Sequence, residues 1–129
     1  IPGLDKTTLV SSIDLAPTIL KSVGLEPTKD MQGINLLDAQ ALKKRKAIFG
    51  ASYTHDAVNI SKPISSLEYI YAIEGDWKLI QPSGKNGTGT KPELYNIIKD
   101  PNETNNLAAY NTKKVEHIKK LIKQWRLAQ

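Results

Sequence analysis

The sequence predicts an α+β fold: a small antiparallel sheet of about four strands with one long C-terminal helix packed on a face, preceded by a helix-bearing N-terminal arm. Three observations predict it. Short runs rich in β-branched and aromatic residues recur between positions 47 and 98. Two of these runs are separated only by Gly75-Asp76, a glycine-first hairpin signal. From Asn111 onward, Val115, Ile118, Leu121, Ile122 and Trp125 recur at spacings of three and four, the stripe of a helix facing a core.

In chain order, Asp14 is placed to cap a helix running to Val23. Pro17 falls in the first turn, where its missing N–H costs nothing, and Gly24 is a natural left-handed terminator. Leu15, Ile19, Leu20 and Val23 give this helix an apolar stripe, and a lone helix of about ten residues is marginal in water. The stripe of residues 14–23 is therefore expected to meet a partner, by self-association or against another domain. Ile34 to Asp38 follows Pro27 and Gly33 as a loop or short helical turn. Lys43-Lys-Arg-Lys46 resembles a polyanion or nuclear-localisation patch, but just before a strand the expectation is a solvated linker.

The strands are read as 47–53, 67–73, 77–81 and 93–98. Between the last two, Pro82 to Thr90 is rich in turn formers and too polar to pack, so it is expected to be mobile. The final helix spans 111–128, with Asn111 as its cap and Tyr110 and Val115 as a hydrophobic staple. The domain reading is a tail of a larger domain over 1–40 and a sheet-plus-helix subdomain over 41–129.

Bulk properties narrow the function classes. The 129 residues suit one domain of ordinary size, and 40% apolar with 24% charged residues is the composition of a folding globular chain. Without cysteine there is no disulfide framework, thiolate metal site or thiol nucleophile. No apolar run approaches the roughly 18 to 20 residues of a membrane helix, and Ile1-Pro-Gly-Leu-Asp-Lys is not a signal peptide; the start reads as a cut. The net charge of +5 is carried entirely by 111–129, where six basic residues face the single acid Glu116.

Two segments then give the chain a family. Glu93-Leu-Tyr-Asn-Ile-Ile-Lys-Asp-Pro-Asn-Glu-Thr-Asn-Asn-Leu107 resembles the closing Glu-Leu-Tyr-Asp-Leu-x-x-Asp-Pro-x-Glu-x-x-Asn-Leu segment of type I sulfatases, with Asn96 and Ile97 as departures. Val10-Ser-Ser-Ile-Asp-Leu-Ala-Pro-Thr-Ile-Leu20, with Gly24 and Gly33, is similar to the Asp-Leu-x-Pro-Thr-Leu-Leu helix of the same family, and Trp77-Lys-Leu-Ile80 to the strand before Glu-Leu-Tyr. Order and intervals agree over nearly the whole chain. Turn chemistry accounts for the polar residues of 93–107: Asp100 before Pro101 closes an Asx turn, Glu103 accepts backbone N–H groups and Asn106 caps a turn at Leu107. A scaffold role is expected there.

The resemblance implies the C-terminal part of a sulfatase of the alkaline-phosphatase superfamily, periplasmic or secreted, acting on a sulfated small molecule or glycan. It also implies a formylglycine nucleophile made from a Cys/Ser-x-Pro-x-Arg motif and a divalent cation, usually Ca²⁺, neither held in this segment. Ser61-Lys-Pro-Ile-Ser65 lacks the arginine, and Asp14, Asp30, Asp38, Asp56, Asp76 and Asp100 are scattered, so no catalytic or metal-ligating residue is assigned. The segment alone is expected to be inactive, supplying scaffold and substrate-cleft wall.

His55 and Asp56, just after the first strand, are the candidate substrate-binding residues; His117 is read as a solvated surface residue. Asn59, Asn86 and Asn102 head Asn-x-Ser/Thr sequons. The alternative function is a basic binding module for acidic polymers such as sulfated glycans or nucleic acid. Single-strand platforms interleave exposed aromatics with basic groups, whereas Trp125 belongs to the buried stripe, so neither nucleic acid nor membrane is expected as partner.

Overall fold

A computed structural model of the chain describes Gly3, Asp5 and residues 7–56, 59–83 and 91–127. They form two compact units, 1–48 and 49–129. The expected α+β architecture is present: a four-stranded sheet, a C-terminal helix and an N-terminal helix.

In the first unit, a 3-10 turn at Ser12–Asp14 leads into α1 (Leu15–Ser22). Pro17 is buried in the first turn, and Gly24, at φ +77°, follows the helix in the left-handed region that favours glycine. Asp14 behaves differently from the expected cap: its side chain makes no capping bond to α1. The carboxylate instead accepts the backbone N–H of Ser11 at 2.8 Å and of Ile34 at 3.0 Å, and is gripped by both terminal nitrogens of Arg45 at 2.5 and 2.6 Å. It is fully buried, and Arg45, which also donates to the Leu9 carbonyl at 3.2 Å, is nearly so. One carboxylate thus ties together three stretches of chain, around 9–14, 34 and 45. Arg45 is therefore not part of a solvated linker, although Lys43, Lys44 and Lys46 beside it are exposed.

The approach of 33–34 to this cluster is close. A Cβ at Gly33 would fall on the Ile13 carbonyl, so only glycine lets the chain pass. Thr18 closes the same seam, donating to the Asp14 carbonyl at 2.6 Å and accepting from Leu36 N–H at 2.8 Å. A further helix, α2 (Ala39–Lys44), was not expected; Asp38 caps it, its Oδ1 accepting from Gln40 and Ala41 at 3.0 Å each. Six residues are too few for periodicity to reveal.

The second unit carries the sheet, in the order β1 (Ile48–Tyr53), β2 (Leu67–Glu74), β3 (Trp77–Pro82) and β4 (Glu93–Asn96). Glu74 pairs with Trp77 across the Gly75-Asp76 turn, and Gly75 takes φ +54°, the value a glycine-first hairpin turn requires. The register places Ala72, Leu79 and Leu94 side by side on one face, with Ile70 beside Gln81. That face packs against α3 (Thr112–Leu127): Leu67, Ile70, Ala72, Leu79 and Leu94 form one core with Val115, Ile118 and Ile122. Trp125 lies at the margin of this core, half-buried and stacked on Phe49 with centroids 5.1 Å apart.

β4 ends at Asn96, two residues short of the expected strand. The Asn96 side chain accepts from Lys99 N–H at 3.0 Å and its carbonyl from Asp100 N–H at 2.8 Å, turning the chain and leaving Ile98 exposed. The following turn is built much as its residues suggest. Asp100 accepts from Asn105 and Thr104, which hold its carboxyl below the ordinary range, and Asn106 Oδ1 accepts from both Leu94 and Ala108. Glu103 departs from expectation: at φ +54° it directs its carboxylate to Lys78 Nζ, 2.7 and 2.8 Å away. The staple is also absent, since Tyr110 is 84% exposed while Val115 is buried. Of the polar loop expected to be mobile, residues 84–90 lie outside the described residues, as do Gln129 and Ala128, the latter expected from the sequence to close the final helix.

Two outcomes are expected. Ile118→Ala, which empties a fully buried site in the core, lowers unfolding free energy by about 2 to 5 kcal/mol, whereas Lys120→Ala on the exposed face changes it by about 0.5 kcal/mol or less; equal effects in a denaturant titration would show that α3 does not cover the sheet. The Arg45 hydrogen bonds lower the Asp14 carboxyl from 3.8 to about 2 against the opposing pull of burial. Because the folded value lies below the unfolded one, ionised Asp14 contributes stability in full above about pH 4, and this is lost as pH falls toward 2. The amide resonances of Ser11 and Ile34, which donate to that carboxylate, are expected to titrate near pH 2; a midpoint near 4 would contradict the buried pair.

Candidate functional site

The residues singled out for substrate contact sit where β1 ends. Thr54 N–H donates to the Ser66 carbonyl at 2.8 Å and its hydroxyl to the Asp56 carbonyl at 2.8 Å, which fixes the bend carrying His55 and Asp56. Both side chains project fully into solvent, with His55 Nδ1 3.4 Å from Asp56 Oδ1. The structure brings these two together and sets no other described side chain on them. Such a pair offers a ring nitrogen and a carboxylate to a hydroxyl-bearing or anionic ligand.

The sheet face opposite α3 carries a second polar constellation. Its register sets Tyr71, Ile80 and Glu93 in one row and Ile73, Lys78 and Tyr95 in the next. Lys78 is the hub: besides its bond to Glu103, its ammonium lies 5.4 Å from the Tyr71 ring centroid. Tyr95 donates its hydroxyl to Glu93 at 2.7 Å, and Glu93, with burial, pushes that hydroxyl up to about 12, so Tyr95 remains a proton donor throughout the physiological range. This face was missed in the sequence because alternation marks strands without telling which side a helix will cover. The recurrence of Tyr69, Tyr71 and Tyr95 was the available signal.

His117 is not the free surface residue the sequence suggests. Its Nε2 lies 2.7 Å from Glu74 Oε1, and Lys114 Nζ lies 3.4 Å from Glu74 Oε2. Burial pushes the Glu74 carboxyl up, but the hydrogen bonds and charges of His117 and Lys114 outweigh it, leaving it below the ordinary range. These residues, with Gly75, Asp76 and Trp77, border an open groove of about 460 Å³ at the hairpin end of the sheet.

Among the described residues, no group of three His, Cys, Asp or Glu side chains is placed to hold a metal ion. The acids are committed elsewhere: Asp14 to Arg45, Asp38 to α2, Asp100 to its turn, Glu103 to Lys78. The Ca²⁺ that the family resemblance implies does not fit this set, so no chemical step is assigned through it. None of the described helices is long and apolar enough to cross a membrane. Asn59 and Asn102 of the sequons are exposed, and Asn86 lies outside the described residues.

Over 125 residues the chain is 23% identical to Arylsulfatase K of Xenopus laevis, covering 95% of this chain and 23% of that one. A solved protein in complex with its substrate, D-glucosamine-2-N,6-O-disulfate, is 27% identical and superposes with a TM-score of 0.62 over 88% of this chain and 23% of its own. A phosphonate monoester hydrolase of Agrobacterium radiobacter, 22% identical, shares the fold with a TM-score of 0.61 over 90% of this chain and 25% of its own. The chain thus spans about a quarter of the length of these relatives. Residues 1–129 match the family described as N-sulphoglucosamine sulphohydrolase, C-terminal, and the chain belongs to that family, as the C-terminal part of a sulfatase.

Proposed function

We propose that this chain serves a sulfuric ester hydrolase of the alkaline-phosphatase superfamily, periplasmic or secreted, as its scaffold and as a wall of its substrate cleft. The observation that carries the reading is the match along all of 1–129, joined to the 27% identity with a protein whose substrate is a doubly sulfated glucosamine. The substrate proposed for the longer protein is accordingly a sulfated small molecule or glycan, cleaved with water to release sulfate. Its formylglycine nucleophile and its Ca²⁺ ligands are assigned to the rest of that protein, and this segment alone is inactive.

What this chain contributes is position. His55 and Asp56, exposed and adjacent, contact the substrate: the imidazole donates to a sulfate or hydroxyl oxygen, and the carboxylate accepts from a sugar hydroxyl. The stripe of α1 has a separate task. Leu15, Ile19 and Val23 are 56, 62 and 65% exposed, and Ile13 and Val10 extend the patch, an arrangement that favours a covered interface over permanent exposure to water. We assign residues 14–23 to contact with the catalytic domain, with self-association as what the segment does without it.

Activity measurements test this reading. The purified chain is expected to give no turnover of an aryl sulfate above a contaminant control, while the longer protein containing it hydrolyses both aryl sulfate and a sulfated disaccharide. In the longer protein, His55→Ala with Asp56→Ala is expected to raise KM for the disaccharide by about tenfold or more, the loss of hydrogen bonds to a charged ligand, and to spare aryl sulfate turnover. Turnover by the chain alone, or an unchanged disaccharide KM, would count against it.

A further inference from the structure

On α3, Lys119, Ile122, Lys123 and Arg126 fall at helical spacing on one side and, with Leu127, face Gln81 of β3 across a groove of about 480 Å³. The floor is apolar, since Ile122 is buried in the core. The rim is cationic. Lys119 is ion-paired with Glu116 at 2.9 Å, but Lys123 and Arg126 are exposed and have no acidic partner among the described residues.

Gln81 supplies a second, independent feature. It lies on the sheet face that meets α3, in register with Ile70. Its Nε2 donates to the Pro82 carbonyl at 3.2 Å, while its Oε1 is buried with no hydrogen-bond partner among the described residues. A buried acceptor without a donor is costly and invites a ligand that brings one.

We propose that this groove binds a sulfated saccharide, with Arg126 and Lys123 taking a sulfate group, the Gln81 side chain turning its buried Oε1 into the groove to accept a sugar hydroxyl, and Ile122 and Leu127 carrying the apolar face of the ring. The groove has the volume of a small-molecule site. Arginine's planar fork suits an oxyanion that can accept two parallel bonds. A bare anion satisfies the cations but brings no donor for Gln81. A single-stranded nucleic acid needs exposed aromatic platforms, and Trp125 is engaged with Phe49 instead. The choice of a sulfated sugar rests on the proposed function; the shape and charge of the groove do not. A polymer held here and at a second point on the same protein is retained by raised effective concentration.

Binding by the whole 129-residue chain tests the proposal, with no turnover required. A heparin-derived tetrasaccharide is titrated by calorimetry and NMR, beside its desulfated form, inorganic sulfate and a single-stranded oligonucleotide. The expected result is binding of the sulfated tetrasaccharide alone at low micromolar concentration, with shifts in the Gln81 side-chain amide and the Arg126 guanidinium resonances. Lys123→Gln with Arg126→Gln weakens it about tenfold or more. Lys43→Gln with Lys44→Gln, on exposed positions of α2, leaves it within about twofold, since charges outside the groove act only through screened, long-range attraction. Gln81→Leu weakens it too, and circular dichroism of each variant confirms that it is folded. Equal binding of the desulfated sugar or the oligonucleotide, full competition by inorganic sulfate, or equal loss in the Lys43/Lys44 variant overturns the proposal. If the sugar binds as described but the longer protein hydrolyses no sulfate ester, the proposed function falls and the groove stands; the reverse result removes the groove alone.

Discussion

Ile118, with no exposed surface, pins α3 onto the row formed by Ala72, Leu79 and Leu94, themselves without exposed surface, and the second unit is organised around that contact. A sheet and an amphipathic helix each have one apolar side, and neither is stable until that side is covered. Once α3 covers one face of β2, β3 and β4, the polar consequences follow. Glu74, on the covered face, is brought within reach of Lys114 and His117, and Gln81 is brought under the basic end of the helix. The other face is left to Tyr71, Lys78 and Tyr95: Lys78 is tied to Glu103 and lies over the Tyr71 ring, and Tyr95 is tied to Glu93. Coverage, not charge, decides where each ionisable group ends.

The first unit is held by a different device. A fully buried carboxylate is tolerated only when its charge and lone pairs are met, and Asp14 meets them with two backbone N–H groups and a two-pronged guanidinium. The same economy of carboxylates explains why this segment offers no metal site among its described residues. Its acids build turns, caps and ion pairs. The proposed function accordingly assigns the reacting groups to the rest of a longer protein; this chain covers about a quarter of the length of its relatives.

The fold was legible where short-range physics dominates. The Gly75-Asp76 turn, the three strands around it and the stripe of α3 follow from local turn geometry and from periodicities of two and 3.6 residues. What escaped depended on partners distant in sequence. Asp14 reads as a cap because the cap rule is local; its true partners, Ile34 and Arg45, lie 20 and 31 residues away. Arg45 is indistinguishable, within Lys43-Lys-Arg-Lys46, from solvated neighbours. His117 and Glu74 are separated by 43 residues, and only the laying of α3 on the sheet joins them. Glu103 was assigned to backbone bonding within its turn, yet its positive φ turns it toward Lys78. His55 and Asp56 are neighbours in the chain, so their approach at 3.4 Å needs no distant partner; their contact with substrate belongs to the proposed function.

The central claim is that this segment is completed by the rest of a sulfatase, whose surface covers the apolar side of α1. Amide hydrogen exchange compares the two situations directly, with the chain alone at low concentration and within the longer protein. The account predicts that the amides of 15–23 exchange rapidly in the isolated chain and are strongly protected in the longer protein, while those at the centre of α3 are protected in both. Equal protection of 15–23 in the two samples would mean that α1 needs no partner, and would contradict the account.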